Sequence, residues 1–152
     1  MPQTTVKIVI VHAAFILAVF AAGSVLATSN LPGEWYQALQ KPWFTPPNWV
    51  FGPVWTVLYI LIGWVGARKA LYGGERLLWL LQMGLNLVWS PVFFGMQAPL
   101  PGLFVVAGML ATILAFIARE WRTDRVSALL FVPYAIWVTI ATALNASIVV
   151  LN

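Results

Sequence analysis

The sequence predicts an all-α integral membrane protein: a bundle of five transmembrane helices with a long Pro/Trp-rich loop between the first and second. Residues of the AVILMFWYC set make up 62% of the 152 residues and charged ones only 8%, at a mean hydropathy of +0.90. A soluble domain is about a quarter charged, so eight Lys/Arg and four Asp/Glu could not cover a water-exposed surface. Uncharged stretches run from Ile8 to Gly33, Pro42 to Ala67, Leu77 to Ala118 and Val126 to Asn152. Each can supply the roughly 20 residues a spanning helix needs, and the third is long enough for two. The basic residues are scattered over the short segments between these stretches. Despite a net charge of +4 and a pI near 9.9, they therefore read as topology signals and not as a nucleic-acid surface. There is no cysteine, which removes disulfides, thiolate metal sites and thiol catalysis.

The expected helices cover about 8–28, 51–68, 77–95, 102–119 and 126–150 of one domain, residues 1–152. The first could instead be a signal peptide, since Lys7 precedes it and small residues lie near its end. Its apolar run is longer than a signal h-region, however, and Ala14, Ala18 and Ala22 recur at the spacing of closely packing helices. Similar stripes, Ala107, Ala111, Ala115 and Ala135, Thr139, Ala143, Ser147, are expected to pack within the bundle, with a dimer face as the alternative. The segment Lys41-Pro42-Trp43-Phe44-Thr45-Pro46-Pro47-Asn48-Trp49 carries three prolines and cannot be regular helix. Its stiff backbone and large rings suit a cap packed on the helix ends, or an aromatic belt at the headgroups. The third and fourth helices are divided near Gly95, Pro99, Pro101 and Gly102, where a tight hairpin is expected. Five spans place Lys7, Arg68, Lys69, Arg76, Arg119, Arg122 and Arg125 on one side and Lys41 alone on the other. The positive-inside rule then puts the N-terminus inside and the C-terminus outside, in a membrane expected to be the bacterial cell membrane.

Pro53, Pro91 and Pro133 each fall within or near the start of an apolar run. Each deprives the carbonyl four residues earlier (Trp49, Leu87, Leu129) of its helical donor, which makes kinks and an internal cavity plausible. Trp79, Met83, Asn86, Trp89 and Phe93 form one stripe with an amide in its middle, and Asn86 is expected to face inward to a partner. Trp55 and Tyr59 lie one turn apart in the second helix; Tyr134, Trp137, Ala141 and Asn145 share a face of the fifth. Converged, these faces would wall a site for flat apolar ligands; unconverged, they are an interhelical clamp. His12, the only histidine, has no carboxylate within any span and is expected to be a packed imidazole. Glu34, Glu75, Glu120 and Asp124 lie in loops or at helix ends, so the buried carboxylates of an ion-coupled transporter are missing.

The strings KPWFTPPNWVFGPVWTVLYILIG, LNLVWSPVFFG and FVPYAIWVTIATALN, in that order, resemble the TspO/MBR family of tryptophan-rich sensory proteins and mitochondrial translocator proteins. The resemblance implies a five-helix bundle with a pocket under the first loop. Its ligands would be porphyrins such as protoporphyrin IX and haem, or benzodiazepine- and isoquinoline-type compounds, with the porphyrin as ligand and no required cofactor. Carried onto this chain, the pocket residues are Trp55, Asn86, Trp89, Phe93, Trp137 and Ala141, with Tyr36 and Trp43 in the lid. A homodimer is implied as well. The sterol pattern of animal members needs a Tyr followed by Lys or Arg near the C-terminus; residues 143–152 have neither, so sterol is a weak expectation. The expected function is a receptor or sensor. The alternatives are a light-dependent porphyrin-degrading enzyme using Trp55 and Trp137, or a transporter of porphyrin or sterol.

Overall fold

The computed structural model describes residues 3–152. In chain order the helices are α1 (Gln3–Ser29), α2 (Glu34–Ala38), α3 (Asn48–Tyr72), α4 (Arg76–Ser90, continued by a wide turn over Pro91–Gly95), α5 (Pro99–Thr123), α6 (Arg125–Leu130) and α7 (Val132–Leu151). Five are long and apolar enough to cross a membrane: α1, α3, α4 with its wide turn, α5, and the consecutive pair α6–α7. The first, second and fourth expected spans lie inside α1, α3 and α5, the third runs over α4 and its wide turn, and the fifth over α6 and α7 with a break at Phe131. The helices nevertheless run up to five residues past the expected ends, because charge marks where hydrocarbon stops and not where helix stops. Lys7, Arg119 and Arg122 all sit on helical backbone, from which long basic side chains can reach an aqueous boundary.

The prolines correct two of those boundaries. Pro99 and Pro101 do not interrupt the third apolar stretch but occupy the first turn of α5, where a missing N–H is no loss. The reversal is therefore confined to residues 96–98, with Gln97 at φ 52°. Pro47 precedes α3, so Asn48 and Trp49 of the cap segment are already helical. Pro91 lacks the N–H that would bond Leu87, and the chain widens there: the Pro91 carbonyl accepts from Met96 N–H, five residues on, at 2.9 Å. Such wide turns absorb the lost bond without ending the span. In the last span Phe131 (φ −87°, ψ −8°) separates α6 from α7, and Pro133 falls in the first turn of α7. The Gly73-Gly74 pair makes the α3–α4 turn with φ of 82° and 104°, in the left-handed region that glycine enters freely.

Around the bundle α3 packs on α1, α1 on α4, α4 on α5 and α5 on α7. The core between them is a continuous apolar cluster including Leu58, Ile62 and Val65 of α3, Met83 of α4, Met109, Ile113 and Phe116 of α5, and Val138 of α7. The small-residue stripes contribute little to these contacts: Ala135 is buried in the core, but Ala14, Ala18, Ala107, Ala111 and Ala143 are exposed. A helix apolar on every side gives no moment to say which face turns inward. Close approach comes instead from glycines. A methyl at Gly63 would meet the Ile16 backbone at 2.5 Å, and one at Gly66 the Trp79 ring at the same distance. His12 is the packed imidazole expected: Nδ1–H donates to the Ile8 carbonyl at 2.9 Å, and the ring tilts against Trp64 at 4.7 Å.

The end of the bundle opposite the Pro/Trp loop holds a feature the charge pattern did not reveal. Lys69 and Glu120, read from sequence only as a loop-end cation and a helix-end acid, are 3% and 0% exposed. The Lys69 ammonium lies 3.0 Å from Glu120 and 3.1 Å from Asp124, while Arg68 reaches Asp124 at 2.8 Å. Glu120 also accepts from the Glu75 backbone N–H at 2.7 Å and from the Thr123 hydroxyl at 3.1 Å. This clamp ties α3, the α3–α4 turn, α5 and the start of α6 together. Burial alone would raise the Asp124 carboxyl, but hydrogen bonds from Arg68, Ser127 and Lys69 outweigh it and hold it well below the usual carboxylate range.

Removing one partner of a buried pair strands the other. Glu120→Ala should therefore lower stability by about 3 kcal/mol, read as a loss of thermal unfolding temperature in detergent. Because the folded-state value for Asp124 is depressed, its contribution is complete above the unfolded value near 3.9 and fades as pH falls below it. The melting-temperature gap between wild type and Asp124→Asn should stay constant from about pH 7 down to about 5 and narrow progressively as the pH falls below about 4.

Candidate functional site

At the loop end, two aromatic layers rest on the helix termini. In the upper layer Tyr36 of α2 is buried edge-on against Phe94 (5.3 Å) and Phe93 (6.3 Å), and burial pushes its phenol pKa upward. Leu144 and Ile148 of α7 complete this cluster, with Trp35, Leu39, Phe44 and Phe51 packed against it. Below it Trp89 stacks on Phe93 at 5.0 Å and 19° and joins the cap cluster to the main core. The indole N–H of Trp89 donates to Asn145 Oδ1 at 3.2 Å, and Asn145 Nδ2 donates to the Pro99 carbonyl at 2.8 Å. The wide turn after Pro91 places Phe93 in this position, since an i to i+5 step rotates the following side chains relative to a continuous α-helix.

One layer deeper, amides and a phenol form a closed chain. Asn86 Nδ2 donates to the Tyr134 hydroxyl at 2.7 Å, Tyr134 donates to Gln82 Oε1 at 2.9 Å, and Gln82 Nε2 donates to the Trp79 carbonyl at 2.8 Å. The Trp79 indole N–H continues to the Ile62 carbonyl at 3.0 Å, so α7, α4 and α3 are stitched together. Asn86 faces inward and has a partner, as an amide at that depth must.

α3 and α7 do not pack along their length. Between them lies an open apolar groove of about 440 Å³, lined by Pro53, Val54, Val57, Leu58, Pro133, Ile136 and Trp137. Pro53 and Pro133 both sit on it, and exposed Val57 and Ile136 stand at its mouth on the outer face of the bundle. Trp137 meets Phe51 edge-on at 5.5 Å, and Trp55 lies on Tyr59 at 5.3 Å.

Of the eight residues singled out from sequence, Trp55, Trp89, Trp137 and Ala141 are half-buried and pack on one core cluster. Asn86 is sealed within that core, whereas Phe93 and Tyr36 belong to the cap. Trp43 stands apart, 95% exposed and touching the Phe44 ring edge at 5.8 Å. Trp137 alone of the eight lines the groove. Sequence reasoning named Tyr134 and Asn145 as face-sharing residues without giving them a role, and it missed Gln82. The available signal was a second amide one turn before Asn86. Among the described residues no group of three or more His, Asp or Glu is placed to hold a metal ion, and the polar atoms of the site are amides, indoles and a phenol. Such an arrangement can hold a flat apolar molecule and orient it by a few hydrogen bonds.

Fold and site together define a multi-pass α-helical membrane protein whose intramembrane polar groups are amides, indoles and a phenol set among aromatic rings, not a line of charged residues. The chain belongs to the TspO/MBR family, whose pattern its residues 11–151 match. It is 38% identical to Protein CrtK of Rhodobacter capsulatus, over 92% of this chain and 91% of that one. It is also 38% identical to the Tryptophan-rich protein TspO of Archaeoglobus fulgidus, over 90% and 92%. The human Translocator protein shares 37% identity over 74% of this chain and 71% of its own. Membership carries a membrane sensor or translocator role.

Tyr134→Phe removes the hydroxyl that satisfies both Asn86 and Gln82. A loss of about 1–3 kcal/mol is expected from stranding buried amides, measurable as a lower unfolding midpoint, with Asn86→Leu/Tyr134→Phe together costing less than the two separate losses summed.

Proposed function

We propose that this protein is a membrane receptor for flat, apolar tetrapyrroles such as protoporphyrin IX and haem, and for benzodiazepine- or isoquinoline-type compounds of similar shape. The observation that carries this reading is the groove between α3 and α7, apolar, open to the bilayer, and walled by Trp137, Pro53 and Pro133. A planar macrocycle is already concentrated in the bilayer and gains by exchanging acyl chains for rigid ring faces, so stacking on Trp137 and Phe51 with Trp55 nearby gives selectivity for flatness. The carboxylates of a porphyrin would lie toward the cap, where Lys41 is the one Lys or Arg that the sequence places at that end. Asn86, bound to Tyr134, supports the wall through that partner. Sensing follows if the occupied groove holds α3 and α7 at a different separation from the empty one, because a ligand shifts a conformational equilibrium only by binding one state better.

Titration of the protein in nanodiscs with protoporphyrin IX, followed by tryptophan quenching, tests the assignment. Trp137→Ala should weaken binding about tenfold, equivalent to ~1.4 kcal/mol, and Ile136→Trp, which fills the groove, should weaken it at least as much. Wild-type dissociation constants in both variants would show that the groove is not the site.

A further inference from the structure

The two ends of the bundle differ in how their polar groups are balanced. At the loop end an uncharged pair joins the chain's two halves: the Asn152 carboxamide exchanges two hydrogen bonds of 3.0 Å with the Gln40 peptide unit. At the opposite end seven Lys and Arg meet three acids, Glu75, Glu120 and Asp124. Lys69 and Arg68 take Glu120 and Asp124, and Arg119 takes Glu75 at 3.3 Å. Among the described residues Lys7, Arg76, Arg122 and Arg125 are thus left with no carboxylate at ion-pair distance. Arg76 turns back onto the carbonyls of Lys69 and Ala70. Arg122 and Arg125 gather, both exposed, at the α5–α6 junction. There the Arg125 guanidinium lies 4.8 Å over the Trp121 ring, and its Nε–H donates to the Trp121 carbonyl at 3.2 Å. Neither the rest of that fork nor the Arg122 guanidinium has an acceptor among the described residues.

A continuous apolar face runs from this pair of arginines to the groove. On α6, Ser127 and Ala128 are buried, while Arg125, Val126 and Leu129 are exposed on the other side. Pro133 and Ile136 follow Leu129 at four- and three-residue steps, are exposed as well, and line the groove. The eleven residues from Arg125 to Ile136 rise about 16 Å, close to the ~15 Å of hydrocarbon in one leaflet. The groove is lined only by Pro, Val, Leu, Ile and Trp side chains, so it suits a hydrocarbon chain whose polar end is held elsewhere. We infer that it seats one acyl chain of an anionic phospholipid whose phosphate is gripped by Arg122 and Arg125. A guanidinium fork matches two phosphate oxygens, and the half-exposed Trp121 indole suits the interfacial level between headgroup and chain. A zwitterionic lipid brings its own cation to the same two arginines and is held less well. The lipid chain occupies the volume assigned above to a tetrapyrrole, so each excludes the other; this competition, unlike the lipid site itself, rests on the receptor reading.

Tryptophan quenching of the full chain in nanodiscs of mixed phosphatidylcholine and phosphatidylglycerol, with bromine on the acyl chains of one lipid at a time, tests the site. Wild type should be quenched more when phosphatidylglycerol carries the bromine, and Trp137→Phe should remove that excess. Arg125→Gln should weaken the preference for phosphatidylglycerol about fivefold, and Arg122→Gln/Arg125→Gln roughly twentyfold or more. Lys7→Gln, which removes an equal charge from α1, should match wild type. Equal quenching by the two labels in wild type overturns the site. An excess that survives in Trp137→Phe overturns the seat of the chain, and one that survives in the double arginine variant overturns the headgroup assignment. Loss of the excess on adding millimolar glycerol 3-phosphate shows a site for phosphate alone and overturns the lipid. Competition is read separately: phosphatidylglycerol should raise the apparent Kd of protoporphyrin IX severalfold more in wild type than in the double arginine variant. An equal rise in both overturns the exclusion. If wild type binds no porphyrin at all, the receptor reading falls and takes the competition with it, while bromine quenching still decides the lipid site.

Discussion

Every polar atom within the spans must find its partner inside the protein, and the rest of the structure follows from how that demand is met. Lipid offers no hydrogen bonds, and an unsatisfied group there costs several kcal/mol. Hydroxyls are dealt with locally: Thr56, Thr112, Thr139, Thr142 and Ser147 each donate to the carbonyl four residues earlier in their own helix. Amides and indoles cannot fold back so easily, and they are paired across helices instead. Asn86, Gln82 and Tyr134 join α4 to α7, Trp79 joins α4 to α3, and Trp89 with Asn145 joins α4 to α7 and the start of α5. No buried side-chain nitrogen or oxygen among the described residues is left without a partner. Helix association in lipid lacks the hydrophobic drive available in water, so these pairings and close glycine contacts determine which helices meet.

The two ends of the bundle are built on opposite principles. One is held by the buried ion cluster of Arg68, Lys69, Glu120 and Asp124, whose members are short-range, directional and mutually dependent. Such a network has few alternative arrangements, because moving one charge exposes the others to an apolar surrounding. The other end is closed by aromatic edges and one carboxamide, contacts that tolerate displacement. The bundle is thus clamped by charge at one end and roofed by rings at the other.

The prolines connect this asymmetry to the binding region. At Pro91 the span widens into an i to i+5 turn that swings Phe93 under the cap. At Pro133 the last span divides at Phe131. Pro53 and Pro133 then both lie on the groove where α3 and α7 fail to pack. Trp137 lines that seam beside them.

By itself the sequence determined the number of spans, their order, the cap, the inward amide at Asn86 and the family. Each of these follows from local quantities: charge-free length, proline's missing donor, the price of an amide in hydrocarbon, and a string of rare neighbours. It did not determine which face of each helix turns inward, because a helix apolar on all sides carries no directional signal. The alanine stripes were consequently assigned to packing when most of them face lipid. Tertiary structure alone decided that Trp43 stands clear of the cap, that Tyr134 and Gln82 complete the chain begun by Asn86, that Lys69 and Glu120 are buried partners, and that Gln40 is paired with Asn152. Each is a meeting of residues distant in the chain, and hydropathy and spacing describe only what a segment prefers, never which other segment will supply its partner.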